Sequence, residues 1–337
     1  MARFDPTRSR YPFPSYPRGW FAVAFSHEVG EGDVLTRQAF GEELVLFRDG
    51  EGKVAVLHPH CPHMGAHLGR GGCVEDGAIR CPFHGMRFDG TGACVSIPGE
   101  VKIPPAMKTP AWEAREVDGA VLVWHDPAGA PPSFEPPAYF ELRGSEGWTE
   151  MQWHTWEELK AHPQETSENS VDLAHFSIVH GYSGVEIVDP LEIDGDTLRI
   201  SYKMTRGLDN VGMPGQTVES IFRVRVHGLG YSVVEVDTPT FDTSFRTYVL
   251  STPLDEGRVI LRGGGTMKAL PDPNMTEMVG KMFFEGFVAD VEQDFQIWEN
   301  KAYFDRPVLA ANDGPIGAYR KWCRRFYDYP EQAEAAE

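Results

Sequence analysis

An α+β chain of two domains is what the sequence predicts, and three observations carry that prediction. Before residue 126 the apolar runs are short and strand-like, residues 126–137 are dense in proline, and beyond them come alternating segments followed by one long helical pattern. At 337 residues and 41% hydrophobic content the chain is long enough to bury more than one core. The boundary is expected at 130/131, with the first domain, 1–130, including an N-terminal extension.

The elements follow in order. Trp20–Phe25, Glu43–Phe47, Val54–Leu57 and Ala120–Trp124 are apolar or β-branched runs bounded by Gly, Asp and Pro, which makes the first domain all-β. Asp126–Pro137 is a semi-rigid linker because proline fixes φ and removes a donor. Thr197–Met204, Ser220–Val226, Tyr231–Val236, Thr247–Ser251 and Arg258–Arg262 alternate with period two, the pattern of an antiparallel sheet with one buried face. Residues 274–303 read as one helix, with Met278, Met282, Phe283, Val288, Val291, Phe295 and Trp298 among its apolar positions. Glu331–Glu337 is expected to be a frayed tail.

Chemistry concentrates first in two mixed pairs, Cys61-Pro-His63 and Cys81-Pro-Phe-His84, with seventeen residues between them. A tetrahedral zinc site groups two Cys together and two His together. Here each pair supplies one of each, the ligand set of a Rieske [2Fe-2S] cluster, in which two thiolates hold one iron and two imidazoles the other. Gly65, Gly69, Gly71, Gly72, Gly85 and Gly90 crowd both pairs, which suits tight loops with backbone close to a cluster. His58, His60 and His67 flank a complete ligand set and read as hydrogen-bonded loop residues. Cys73 and Cys94 read as small buried residues.

A second constellation is Glu168-Asn169-Ser-Val-Asp172-Leu-Ala-His175-Phe-Ser-Ile-Val-His180. Two imidazoles and a carboxylate make a facial triad for ferrous iron, leaving positions open for dioxygen or substrate. Asp172 and His175, three apart, share a helical face, whereas His175 and His180 lie roughly 140° apart on a regular helix, so the helix is expected to end or bulge between them. Asn169 shares the face of Asp172, either near the metal or as a helix-start cap. The carboxylate must come from farther along, and Asp290, Glu292 and Asp294 are all candidates by spacing.

These strings resemble the Rieske non-haem iron oxygenases: Cys61–Gly69 and Cys81–Gly90 the Rieske domain, Asn169–His180 the mononuclear-iron motif, and Gln293–Trp298 the late ligand segment. With Ala39-Phe40-Gly41 and Ile297–Lys301, the resemblance covers residues 17–327 and is greatest to the branch of 3-ketosteroid 9α-hydroxylase oxygenase components and cholesterol 7-desaturases. It implies that Cys61, His63, Cys81 and His84 hold the cluster, that His175, His180 and Asp294 hold Fe(II), and that Asp172 bridges a cluster His and His175. It further implies a helix-grip catalytic domain at 131–337 and a head-to-tail homotrimer. Electrons would come from NAD(P)H through a ferredoxin, a ferredoxin reductase or both. O2 would be the cosubstrate, and a steroid or sterol the substrate to be hydroxylated, desaturated or demethylated. An aromatic acid, a quaternary amine or another natural product remain open as substrates, as does a Rieske electron carrier lacking the second metal. Met204, Met213, Met267, Met278 and Met282 are candidates for a pliable apolar pocket.

Composition narrows the setting. A formal charge of −19 weighs against nucleic acid, whose phosphates attract Lys and Arg. Arg70, Arg80 and Arg87 beside the cluster loops, and Lys321, Arg324 and Arg325, are candidate contacts for an acidic electron donor. With two of five Cys assigned, the odd remainder Cys73, Cys94 and Cys323 argues against a disulfide framework. No apolar signal core or membrane-length run is present, so a cytoplasmic protein is expected.

Overall fold

The computed structural model describes residues 10–99, 102–139, 147–207 and 215–327. Trp20–Tyr139 forms one compact unit, and the described residues on either side of it form the other. The sequence division at 130 differs from this at both ends. Trp20 Nε1 donates to the Phe134 carbonyl, Trp124 Nε1 to that of Ala130, and the Asp118 carboxylate accepts the Tyr139 N–H, so the proline-rich stretch packs on the first unit. The segment just before Gly19 belongs to the second unit, where Arg18 N–H donates to the Phe326 carbonyl and Phe13 packs on Tyr303.

The first unit is all-β. Strands β1 (Gly19–Phe25), β2 (Val34–Ala39), β3 (Glu42–Arg48) and β4 (Val54–Leu57) precede the cluster loops; β5 (Cys73–Glu75), β6 (Ala78–Arg80), β7 (Arg87–Phe88) and β8 (Cys94–Ser96) carry them; β9 (Ala114–Val117) and β10 (Ala120–His125) close the unit. They make three sheets, β1-β10-β9, β2-β3-β4 and β5-β6-β7-β8. Val45, Phe47, Leu57, Leu68, Ile79 and Phe88 fill a core that also contains Cys61 and Cys81.

The second unit opens with β11 (Gln152–Leu159), α1 (Pro163–Glu168) and α2 (Ala174–Ile178). Six strands follow: β12 (Ser183–Asp194), β13 (Thr197–Gly207), β14 (Thr217–His227), β15 (Tyr231–Thr238), β16 (Thr243–Pro253) and β17 (Val259–Met267). The resulting antiparallel sheet has the order β11-β17-β16-β15-β14-β13-β12. β12 lies at its edge, where the missing N–H of Pro190 costs no ladder bond and the register slips around Asp189.

The single helix expected over 274–303 is two: α3 (Pro273–Gln293) and α4 (Phe295–Asn300), joined at Asp294; α5 (Ile316–Cys323) follows. Asp272 caps α3 by accepting the Asn274 N–H, with Pro273 at the first helical position. One face of the sheet receives α3: Phe283 stacks on Phe245 at 3.6 Å, and Phe287, Val288 and Val291 pack on Trp156, Val259 and Leu261. This is the sheet-and-helix arrangement expected of the second domain. No helix among the described residues is long and apolar enough to cross a membrane.

Candidate metal centres

The two cluster loops are built alike. Cys61 N–H donates to the Ala66 carbonyl and Gly65 N–H to that of Cys61; Cys81 N–H donates to Met86 and Gly85 N–H to Cys81. Gly65 and Gly85 sit at φ 75° and 70°, where an L side chain is strained. Each loop therefore buries its sulfur and turns its imidazole outward. Cys61 and Cys81 are buried side by side, burial pushes the Cys61 thiol up, and His63 and His84 stand exposed with rings 4.7 Å apart. Paired sulfurs inside and paired imidazoles outside fit a cluster with one iron held by two thiolates and the other by two imidazoles.

The flanking residues are engaged elsewhere. His60 Nδ1 bonds the Gly65 carbonyl, His67 lies against Glu43, and His58 stacks on Trp112. Arg70 pairs with Glu43, Arg80 with Glu75 and Arg87 with Asp76, so each basic group nominated for donor contact beside the loops has an acidic neighbour within the chain. Cys94 is buried as expected; Cys73 is exposed, because the three-residue strand β5 leaves its side chain on the outer face.

In the second unit, α2 stops at Ile178, before His180, and Gly181 takes φ 71°. The chain turns there, and His180 comes back to face His175, with ring centroids 5.1 Å apart. Asp294, at the break between α3 and α4, brings a carboxylate oxygen to 3.6 Å from His180 Nε2. One ligand atom from each of His175, His180 and Asp294 lies within 4.8 Å of the others.

The other two carboxylates are committed. Asp290 accepts both Arg206 guanidinium nitrogens, at 2.7 and 2.9 Å, and the Tyr182 hydroxyl. Glu292 accepts the Trp156 indole. The Nδ1 atoms are committed as well: His175 Nδ1 lies 2.6 Å from the Asp172 main-chain carbonyl and His180 Nδ1 lies 2.9 Å from Gln293 Oε1. The main-chain carbonyl of Asp172 only accepts, so His175 Nδ1 carries a proton, while the Gln293 amide holds His180 Nδ1 and leaves His180 Nε2 toward the Asp294 carboxylate. Two imidazoles and one carboxylate fit ferrous iron.

Asp172 does not share a helical face with His175, since it precedes α2. Its carbonyl, not its carboxylate, makes the close contact; the carboxylate accepts the His175 main-chain N–H and stands 3.8 Å from Nδ1. Burial pushes the Asp172 carboxyl up, and the His175 interactions with help from Lys301 outweigh it and hold the group below its usual range. Asn169 ends α1 rather than starting a helix, and its Oδ1 accepts the Trp298 indole, tying α1 to α4. Of the methionines, Met204 and Met267 are buried, Met278 and Met282 are exposed on α3, and Met213 lies outside the described residues, as does 331–337.

The contact of Gln293 with His180, and the commitment of Asp290 to Arg206 and Tyr182, escaped sequence reasoning. Gln293 had one available signal, its place beside Asp294.

Comparison with known proteins places both units. A Rieske [2Fe-2S] domain family matches residues 19–109, and a 3-ketosteroid 9alpha-hydroxylase C-terminal domain family matches 123–327. A 3-ketosteroid-9-alpha-monooxygenase, oxygenase component, of Rhodococcus rhodochrous is 31% identical over 322 residues, spanning 93% of this chain and 81% of the relative. A cholesterol 7-desaturase of Ciona intestinalis is 31% identical over 337 residues, spanning 93% and 69%. The crystal structure of dicamba monooxygenase bound to dicamba shares the fold with a TM-score of 0.73 at 21% identity, covering 91% of this chain and 96% of that one.

Proposed function

The chain belongs to the Rieske non-haem iron oxygenases, in the family with the 3-ketosteroid 9α-hydroxylase C-terminal domain, and on that premise we propose that it is the oxygenase component of a multicomponent monooxygenase acting on a steroid or sterol. The observation that carries the oxygenase reading is the convergence of His175, His180 and Asp294 in a chain that also holds the two Cys-His loops. An electron carrier needs only the loops.

Cys61, Cys81, His63 and His84 would hold the [2Fe-2S] cluster, and His175, His180 and Asp294 the Fe(II). When bound, the cluster supplies single electrons and the ferrous iron supplies open positions for dioxygen beside the substrate. The chain's own residues orient these sites. Gln293 and the Asp172 carbonyl hold the imidazole Nδ1 atoms, a device that typically raises metal affinity and sets ring direction. Phe176, Tyr202 and Phe222 form an aromatic wall beside the imidazoles, which suits a bulky apolar substrate and keeps water from it.

The steroid assignment is supported by the names of two relatives that each span 93% of this chain. A ferredoxin-type donor and a head-to-tail homotrimer, in which the Asp172 carboxylate faces a neighbouring subunit's cluster imidazole, complete the reading. The deciding test is a single turnover: protein with reduced cluster and ferrous iron is mixed with O2, with and without sterols, 3-ketosteroids, aromatic acids and quaternary amines, while cluster reoxidation is followed optically. Acceleration by a steroid with an oxygenated product supports the proposal. No steroid response, or iron present only as cluster, rejects it.

A further inference from the structure

Tyr202 sits on β13 directly opposite Phe222, which is opposite Val236, then Phe245, then Met267. Directly opposed residues share a face. Val236, Phe245 and Met267, with Phe222, pack against Val279 and Phe283 of α3, so Tyr202 also points to the helix side of the sheet. Its ring lies 5.0 Å from that of Phe176, which is itself 4.1 Å from His175 and 6.0 Å from His180. A phenol thus stands one ring away from the candidate iron ligands.

Tyr202 is 3% exposed, and among the described residues its hydroxyl has no hydrogen-bond partner. Other tyrosines of the second unit differ. Tyr11 donates to Glu165, Tyr182 to Asp290 and Tyr319 to the Gln164 carbonyl. A lone polar group within an apolar wall is the usual means by which a pocket fixes a ligand's orientation. Burial, reinforced by the Tyr182 phenol, pushes the Tyr202 phenol well up, which keeps it a donor at any working pH.

We propose that the Tyr202 hydroxyl donates a hydrogen bond to an oxygen atom of the substrate, a ketone or a hydroxyl, and so selects oxygenated over plain hydrocarbon polycycles and sets which carbon faces the iron. This inference rests on the substrate reading above. A matching oxygen satisfies the phenol, whereas a hydrocarbon leaves it buried and unpaired, the asymmetry that makes polar discrimination sharp.

The experiment is equilibrium binding to the full chain carrying both metal centres, without O2, of androstan-3-one, androstan-3-ol and androstane, for the native protein and Tyr202→Phe. The native protein is expected to bind both oxygenated ligands about tenfold more tightly than androstane, and the variant to lose that preference while holding androstane unchanged. Unchanged androstane affinity also certifies that the variant folds. A variant that still prefers the oxygenated ligands, or that weakens all three equally, overturns the role of Tyr202 and leaves the steroid reading standing. If the native protein binds none of the three, the steroid reading falls and this inference falls with it.

Discussion

The Gln293 side-chain amide is hydrogen-bonded to His180 Nδ1 at 2.9 Å, one residue before the Asp294 carboxylate that faces the other nitrogen of the same ring. The end of α3 therefore grips His180 from both sides, through a neutral amide and an anion. Gln293→Leu removes the polar partner of Nδ1 that orients the ring. The expected result is a loss of about 10- to 100-fold in Fe(II) or Co(II) affinity by titration, with the cluster's visible spectrum unchanged. Gln293→Glu, which keeps an acceptor there, should retain the metal. Equal affinity in the Leu variant and the native protein would remove Gln293 from the site.

Asp172→Asn isolates charge from structure. The main-chain carbonyl that holds His175 Nδ1 is untouched, and the Asn side chain keeps an oxygen for the His175 N–H. Iron content and cluster content should stay at native levels while turnover falls at least ~100-fold. Native turnover in this variant would show that the carboxylate has no part in passing electrons.

Both metal motifs were legible because ligand chemistry is written in residue type and spacing, and β13–β17 because their alternation matches one buried face. The strands β5–β8, two or three residues each, are too short for any period to show. β12 hid behind Pro190 and side chains exposed on both faces. The helix pattern runs through Phe295 and Trp298 without interruption, since α4 continues to bury the same side, so the break at Asp294 left no mark in it. The contacts of Gln293, Tyr202 and Arg206 depend on elements far apart in the chain, which periodicity does not pair.

Two glycines in β17, Gly263 and Gly265, set how closely α3 approaches the sheet. A Cβ on Gly265 would lie 2.8 Å from the Phe284 ring, and one on Gly263 2.8 Å from Trp156 and 3.1 Å from Phe287. The Gly265 contact presses directly on α3, whose end carries Gln293 and leads into Asp294. Gly265→Ala should destabilise by about 1–3 kcal/mol and lower Tm by several degrees. Gly286→Ala, on α3 with open space around it, should act in the opposite direction through helix propensity, by about 0.5–1 kcal/mol. Calorimetry on the pair checks both signs; a neutral Gly265→Ala would mean that the helix is not held at this distance.

His162 caps α1 from inside the second unit. Its Nδ1 accepts the Gln164 N–H and its Nε2 faces the Pro14 carbonyl, so the ring is neutral and fully used. Burial, partly offset by the Pro14 and Ser15 main chain, lowers its pKa to about 3. His227 is lowered to about 4 by burial and by Arg199 and Arg225. For a base depressed on folding, the unfolded chain takes up the proton first. The stability contributed is whole above the unfolded pKa of about 6.5, and it is lost as pH falls from there toward 3. The loss for each ring approaches about 1.4 kcal/mol per pH unit, or roughly 2 kcal/mol by pH 5. His162→Asn keeps a capping side chain that does not titrate. Its stability deficit relative to the native protein should therefore shrink by about 2 kcal/mol between pH 7 and pH 5 in urea unfolding. Parallel pH profiles would show that His162 is not buried as a neutral ring.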